Sequence, residues 1–347
     1  MIRSIVSAII LAALFATLEA CATSGSPLPP IVSQQNATLT AHRFIHAPVA
    51  HPESLLNAWT TRFSPPVRSF VASPNATGQL IYGCDLVRAA CFWFVKGRNK
   101  LAGMIGNLNQ PEGIGVNPVN GDLYVAETGA SDIKVFAPNS TTPIGDFPDP
   151  GQFPGDVAVD SAGNFYVANI STTSDGPGSV TVYDSSGKIL RTLSDPSTWH
   201  GVSVSIDEHK LLSFCFLKTD QTGECDVFPG ARGHGTKVAS ASGSIGGSSF
   251  DIAEHLVVID DSSIQLLTFN GSTLCGTATF QGNGSPVWLA LDRANHLVYT
   301  GDAINAIIEA YPFVDCVSGT LHPAMVYDDG IGESDIMSVA VTPGAKP

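Results

Sequence analysis

Basic residues are scarce in this 347-residue chain: 17 lysines and arginines stand against 31 aspartates and glutamates, giving a formal net charge of -14. That balance repels nucleic acid and anionic lipid, and no basic cluster offsets it, so no nucleic-acid partner is expected. Charge of either sign is thin, at 14% of residues. Also missing are a GxSxG elbow, an HExxH pair, a Walker loop and a GxGxxG opening a helix, which removes the commonest sequence marks of hydrolases, zinc proteases and nucleotide-binding enzymes. The one apolar run of any length, Ile5 to Leu18, is too short to span a bilayer comfortably.

What is present is strand-and-turn patterning. In Pro111 to Phe136 (PEGIGVNPVNGDLYVAETGASDIKVF), short β-branched and aromatic runs alternate with Gly, Asn, Asp and Pro. Period-two runs bounded by turn residues read as strand, turn, strand, turn, strand, and nothing in the stretch favours a helix. The phrase returns at Val157 to Val167, at Val204 to Leu212, at Phe250 to Val258 and at Leu289 to Tyr299. Taking the last apolar residue before the turn as marker gives Val116, Val159, Ile206, Phe250 and Leu291, with gaps of 43, 47, 44 and 41. A period of that length built from short strands predicts an all-β protein, a β-propeller with one four-stranded blade per repeat.

A sixth copy is divided between the ends of the repeat region. Ser338 to Thr342 reads as an innermost strand with nothing after it, whereas Gln79–Tyr82, Cys91–Val95 and Lys100–Ile105 read as three strands lacking one. Joining them predicts six blades over 78–347, the first of mixed origin and closed by the C-terminal strand, which leaves no open edge. Phe92-Trp93-Phe94 would then pack in the core between blades rather than form a surface patch.

Pro111-Glu112-Gly113-Ile114, Leu123 to Glu127 and Ile133 to Phe136 together resemble the NHL repeat, and Pro154 to Tyr183 carries the resemblance into the next blade. It implies a binding platform for protein or RNA or, in related six-bladed families, a lactonase or lyase; the acidic charge disfavours RNA here.

Arg3 followed by the apolar run reads as a signal peptide over 1–20, and Leu18-Glu19-Ala20-Cys21 resembles a bacterial lipobox in which Cys21 is lipidated. Ordinary cleavage after Ala22 is the alternative. Residues 21–77 read as tether and linker, with Ser54 to Trp59 as a helical turn; His42, His46 and His51, interrupted by Pro48 and Pro52, read as exposed histidines rather than a metal site. The expected location is the cell envelope, outer-membrane-anchored, periplasmic or extracellular, with membrane contact only through the lipid, and the expected state is a monomer. Setting Cys21 aside leaves Cys84, Cys91, Cys215, Cys225, Cys275 and Cys316, which an exported protein would use in disulfides. Cys84 with Cys91 and Cys215 with Cys225 lie on successive strands, within hairpin reach. Cys275 and Cys316 are placed to staple neighbouring outer strands, though spacing by itself leaves the connectivity open.

In a propeller, the loops entering each innermost strand and the loops between second and third strands share one mouth of the channel. The first set supplies Glu112, Asp156, Trp199, His200, Trp288 and Asp335 as candidate ligand-binding residues. The second supplies Asp85, Glu127, Asn169, Asp260 and Asp302, of which Glu127, Asn169 and Asp260 are the candidate metal ligands for Ca²⁺ or another divalent cation. These residues also suit strand-ending turns, and the favoured reading is a non-enzymatic face for a protein, peptide or glycan, with no cofactor. The alternative is a metal-dependent hydrolase or lyase in which Asp156 and His200 support acid–base work. Asn117, Asp160, Asp207, Asp251 and Asp292 recur in register at the opposite end, as turn chemistry.

Overall fold

A computed structural model describes residues 78–281, 285–302, 305, 307–328 and 336–343. The expected signal peptide, Cys21, the linker histidines, the helical turn at Ser54 and Asp335 lie outside them.

Among the described residues there is no α-helix, and the strands form six small sheets. β1 (Leu80–Asp85), β2 (Ala90–Val95) and β3 (Leu101–Ile105) belong to blade one. Blade two comprises β4 (Pro111–Val116), β5 (Leu123–Glu127), β6 (Asp132–Phe136) and β7 (Pro143–Pro148), and blade three β8 (Gln152–Val159), β9 (Phe165–Thr172), β10 (Ser179–Tyr183) and β11 (Ile189–Leu193). Blade four follows with β12 (Thr198–Ile206), β13 (Leu211–Lys218), β14 (Gly223–Pro229) and β15 (Thr236–Ala241). Blade five has β16 (Ser248–Phe250), β17 (Leu256–Asp260), β18 (Gln265–Asn270) and β19 (Thr273–Phe280). Blade six has β20 (Pro286–Asp292), β21 (Leu297–Asp302) and β22 (Ile307–Pro312), after which come β23 (Gly319–Leu321), β24 (Met325–Asp328) and β25 (Ile336–Val341).

The last strand closes the circle as the sequence predicted. β25 pairs antiparallel with β1, matching Val341 to Ile81, Ala340 to Tyr82 and Val339 to Gly83. Thr342 adds a clasp: its hydroxyl accepts from the Leu80 amide at 2.7 Å, and its own amide donates to the Leu80 carbonyl at 2.9 Å. The innermost strands β4, β8, β12, β16, β20 and β25 each pack on the next around the channel.

Burial follows the same circle. Alternation gives each blade two apolar faces, and the core divides into six clusters, each filling the seam between two neighbouring blades. Trp93 and Tyr82 of blade one pack with Leu123 and Phe136 of blade two, while Phe92 and Phe94, on the other face, meet Tyr299, Ile308 and Tyr327 of blade six. All three residues of the Phe92-Trp93-Phe94 run are buried.

One feature of blade five was not foreseen. After β22 the chain crosses to the neighbour, where β23 pairs parallel with the outer strand β19, and then returns as β24 to finish blade six. This excursion straps the two blades together. Cys275 in β19 is bonded to Cys316 in the strap, and Cys84–Cys91 and Cys215–Cys225 bridge directly opposed residues of adjacent strands, each pair with Cα atoms 4.0 Å apart. Three disulfides suit an oxidising, extracytoplasmic compartment. No helix among the described residues is long and apolar enough to cross a membrane.

The Asn and Asp residues that recur at the first hairpin turn close those turns. Oδ1 of Asn117, Asp160, Asp207, Asp251 and Asp292 accepts from the amides of Val119, Ala162, Leu211, Ala253 and Asn295 respectively. Some of them also reach across a seam: Lys96 of blade one lies 2.5 Å from Asp292 of blade six.

Inner strands of adjacent blades approach so closely that glycine is required. A Cβ on Gly115 of β4 would overlap the Val157 carbonyl of β8, which is backbone and has little room to retreat. Gly115→Ala is therefore expected to lower unfolding stability in urea by about 1–3 kcal/mol. Deleting residues 336–347 should abolish the single cooperative transition, because blade one would lose its inner strand and one seam would open.

Candidate functional site at the mouth of the channel

Five of the six inner strands are irregular at the incoming end; β16 pairs in unbroken register. In β4, β8, β20 and β25 an extra residue interrupts the pairing, between Pro111 and Ile114, at Gly155, at Val287 and between Ile336 and Ser338, and in β12 two do, Trp199 and Val202. Such β-bulges bend a strand and re-aim side chains. Glu112, Asp156, Trp199, His200 and Trp288 all lie on or beside one.

Asp156 joins two blades. It belongs to β8, and its Oδ2 accepts from the Val204 amide of β12 at 3.0 Å. Burial pushes its pKa up to about 7, against smaller opposing effects from the N–H groups of Val204 and Val157 and from the Trp288 side chain of blade six.

His200 is also buried, which pulls its pKa down to about 4, and its Nδ1 has no hydrogen-bond partner among the described residues. Its ring lies 4.0 Å, centroid to centroid, from that of Trp199. Both tryptophans remain partly exposed. Glu112 is buried at the start of β4. Between about pH 4 and pH 7, Asp156 and His200 are both uncharged, and a face with aromatic rims over neutral polar groups suits hydrogen bonding and stacking better than capture of a bare cation.

Two of the three candidate metal ligands, Glu127 and Asp260, are otherwise engaged. Glu127, opposite the bulge of blade two, forms an ion pair with Lys134, and its Oε1 accepts from the Asn109 amide at 2.6 Å, fastening the loop that leads into β4. Asn169, opposite the bulge of blade three, donates from Nδ2 to Thr181 at 2.8 Å and to Ser179 at 3.2 Å, while its buried Oδ1 has no hydrogen-bond partner among the described residues. Asp260 caps its own turn, accepting from the Ser262 amide at 3.1 Å and the Ser262 hydroxyl at 2.5 Å. The same bracing role recurs in blade six, where Asp302 accepts from the Ser285 amide at 3.3 Å. Asp85 is buried at the end of β1. The bulges, and the acids Glu127 and Asp302 bracing the loops before them, were not read from the sequence; the signal for them was that Glu127, Asn169 and Asp302 on the second strands recur in register with Pro111, Pro154 and Pro286 on the first.

Among the described residues, the His, Cys, Asp and Glu side chains grouped closely enough to hold an ion are His255, Cys275 and Cys316, away from the mouth and with both sulfurs in a disulfide. At the opposite end of the ring, Asn117, Asp122, Tyr124, Ser161 and Ser185 line an open cavity of about 350 Å³.

No protein family and no curated protein matches this sequence. Solved structures do match the fold. A chain of a nidogen–laminin complex superposes with a TM-score of 0.62 at 12% identity, over 76% of this chain and 98% of the other. A Bacteroides caccae protein of unknown function gives 0.58 at 10% identity, over 77% and 99%. Hydrazine synthase of Kuenenia stuttgartiensis gives 0.50 at 15% identity, over 66% and 72%. At such identities the likeness is one of architecture. The chain is a six-bladed β-propeller.

The Asp156 proton sets a pH dependence. Its folded pKa, about 7, stands above the ordinary 3.8, so between those values the folded state holds a proton that the unfolded chain has lost. The associated stability is fully present below about pH 4 and is lost as pH rises through 7. Asp156→Asn should therefore gain stability relative to wild type on going from pH 4.5 to pH 7.5, by roughly a few kcal/mol, read from urea unfolding at the two pH values.

Proposed function

We propose that this protein is an exported, NHL-like propeller, lipid-tethered through Cys21, that acts without catalysis as a binding or scaffold protein through the bulged mouth of its channel. The observation that carries the reading is the composition of that mouth: Trp199 and Trp288, partly exposed, accompany Asp156 and His200, whose burial favours their uncharged forms. Aromatic planes beside neutral donors and acceptors recognise the amide groups of a peptide or the hydroxyls and apolar faces of a sugar. A propeller fold is consistent with such a role, and the net charge of -14 argues for partners other than nucleic acid. Residues 1–20 would direct export, residues 21–77 would act as tether and linker, and the propeller would work as a monomer in the cell envelope.

The competing reading, a metal-dependent hydrolase or lyase, needs carboxylates free to coordinate. Glu127 and Asp260 are committed to Lys134, Asn109 and Ser262, which favours binding over catalysis. Two measurements separate the readings. Peptide and glycan arrays probed with wild type and with a Trp199→Ala, Trp288→Ala double variant should show retained signals that fall at least tenfold in the variant, as expected when stacking anchors are removed. Elemental analysis of the purified protein should find no stoichiometric metal. A bound divalent ion that is lost in Glu127→Ala or Asp260→Ala would overturn the proposal in favour of the enzyme.

A further inference from the structure

The three disulfides are not alike. Cys84, Cys91, Cys215 and Cys225 are wholly buried inside their blades. Cys275 and Cys316 are partly exposed, next to the exposed residues Leu274 and Asp315. An imidazole also stands beside this third bridge. His255 Nδ1 lies 3.9 Å from Cys316 Sγ and 3.1 Å from Asp251 Oδ2. A carboxylate oxygen accepts, so Nδ1 carries the hydrogen toward Asp251, with the Cys316 sulfur the next acceptor near the same N–H. Asp251 is itself held by the amides of Ala253 and His255, so the imidazole is oriented by a rigid turn.

The backbone at Cys316 is constrained as well. Its φ is +51°, in the left-handed region that costs a non-glycine residue free energy. The strap presses on β19 so closely that a Cβ on Gly276 would lie 2.5 Å from the Cys316 carbonyl carbon.

We propose that Cys275–Cys316 is an exchangeable disulfide, a site of S-thiolation by a low-molecular-weight thiol, in which His255, positioned by Asp251, makes Cys316 the leaving group. The incoming thiolate attacks Cys275 Sγ and forms a new S–S bond there. The bond to Cys316 breaks, and its electron pair remains on Cys316 Sγ as a thiolate that accepts from the His255 N–H. The attacking thiol has already released its proton to water, and the number of disulfide bonds is unchanged. Stabilising the departing sulfur speeds exchange and selects which sulfur is attacked. The strap need not detach: β23 stays paired with β19 from Gly319 to Leu321, and the Gln281 amide donates to the Leu321 carbonyl at 2.8 Å. Both sulfurs therefore remain close, and the reaction is reversible.

The test treats the folded full chain with cysteamine for a short time, quenches with iodoacetamide and maps every cysteine by peptide mass spectrometry. The expected result is cysteamine on Cys275, the alkyl group on Cys316 and both buried bridges intact. In His255→Leu the rate of opening at this bridge should fall on the order of tenfold, and the preference for Cys275 should disappear. Comparable reaction at all three bridges would overturn the proposal, as would an even spread of cysteamine over Cys275 and Cys316 in the wild type. An unchanged rate in a folded His255→Leu protein would do the same. The wild-type distribution decides the matter by itself should that variant fail to fold.

Discussion

The pairing of β25 with β1 is the constraint on which the rest of the structure depends. Each blade buries its two faces only against neighbours, so an open arc of blades would expose two apolar faces and two strand edges to water. Threading the C-terminal strand into the first sheet removes both at once. It also places Val339 and Ala340 in different seams, so a single strand contributes to the core on either side of blade one.

Closure forces the inner strands together, and the two ends of the channel answer that crowding differently. At one end, polar turn residues satisfy themselves with local amides and reach a neighbouring blade through pairs such as Lys96 with Asp292. At the other, bulges interrupt five of the six strand starts, and Asp156 spans from β8 to the Val204 amide of β12. Burying a carboxyl there favours the neutral form and costs stability as pH rises through its pKa.

The outer rim shows how a small local arrangement changes the chemistry of a general device. Two disulfides lie wholly buried within a blade, out of reach of solvent. The third crosses from β19 to the strap and stands beside the blade-five turn that holds Asp251 and His255. The same covalent bond thereby acquires a direction.

Much of the architecture was legible in the order of residues, because a propeller repeats on a scale that a chain records. The spacing of Val116, Val159, Ile206, Phe250 and Leu291, the unpaired phrase at Ser338 to Thr342 and the hairpin positions of Cys84 with Cys91 are local facts, set by turn chemistry and period-two burial. They determined blade number and closure, and put two of the cysteine pairs within hairpin reach. Tertiary structure alone decided that Glu127 is taken by Lys134 and the Asn109 amide, that Asp156 bonds the Val204 amide of the next blade, and that the three-residue β23 leaves its own blade for β19. Those outcomes depend on partners far apart in the chain, on an extra residue in a ladder and on how much water the closed ring excludes, and neither period nor composition carries that information.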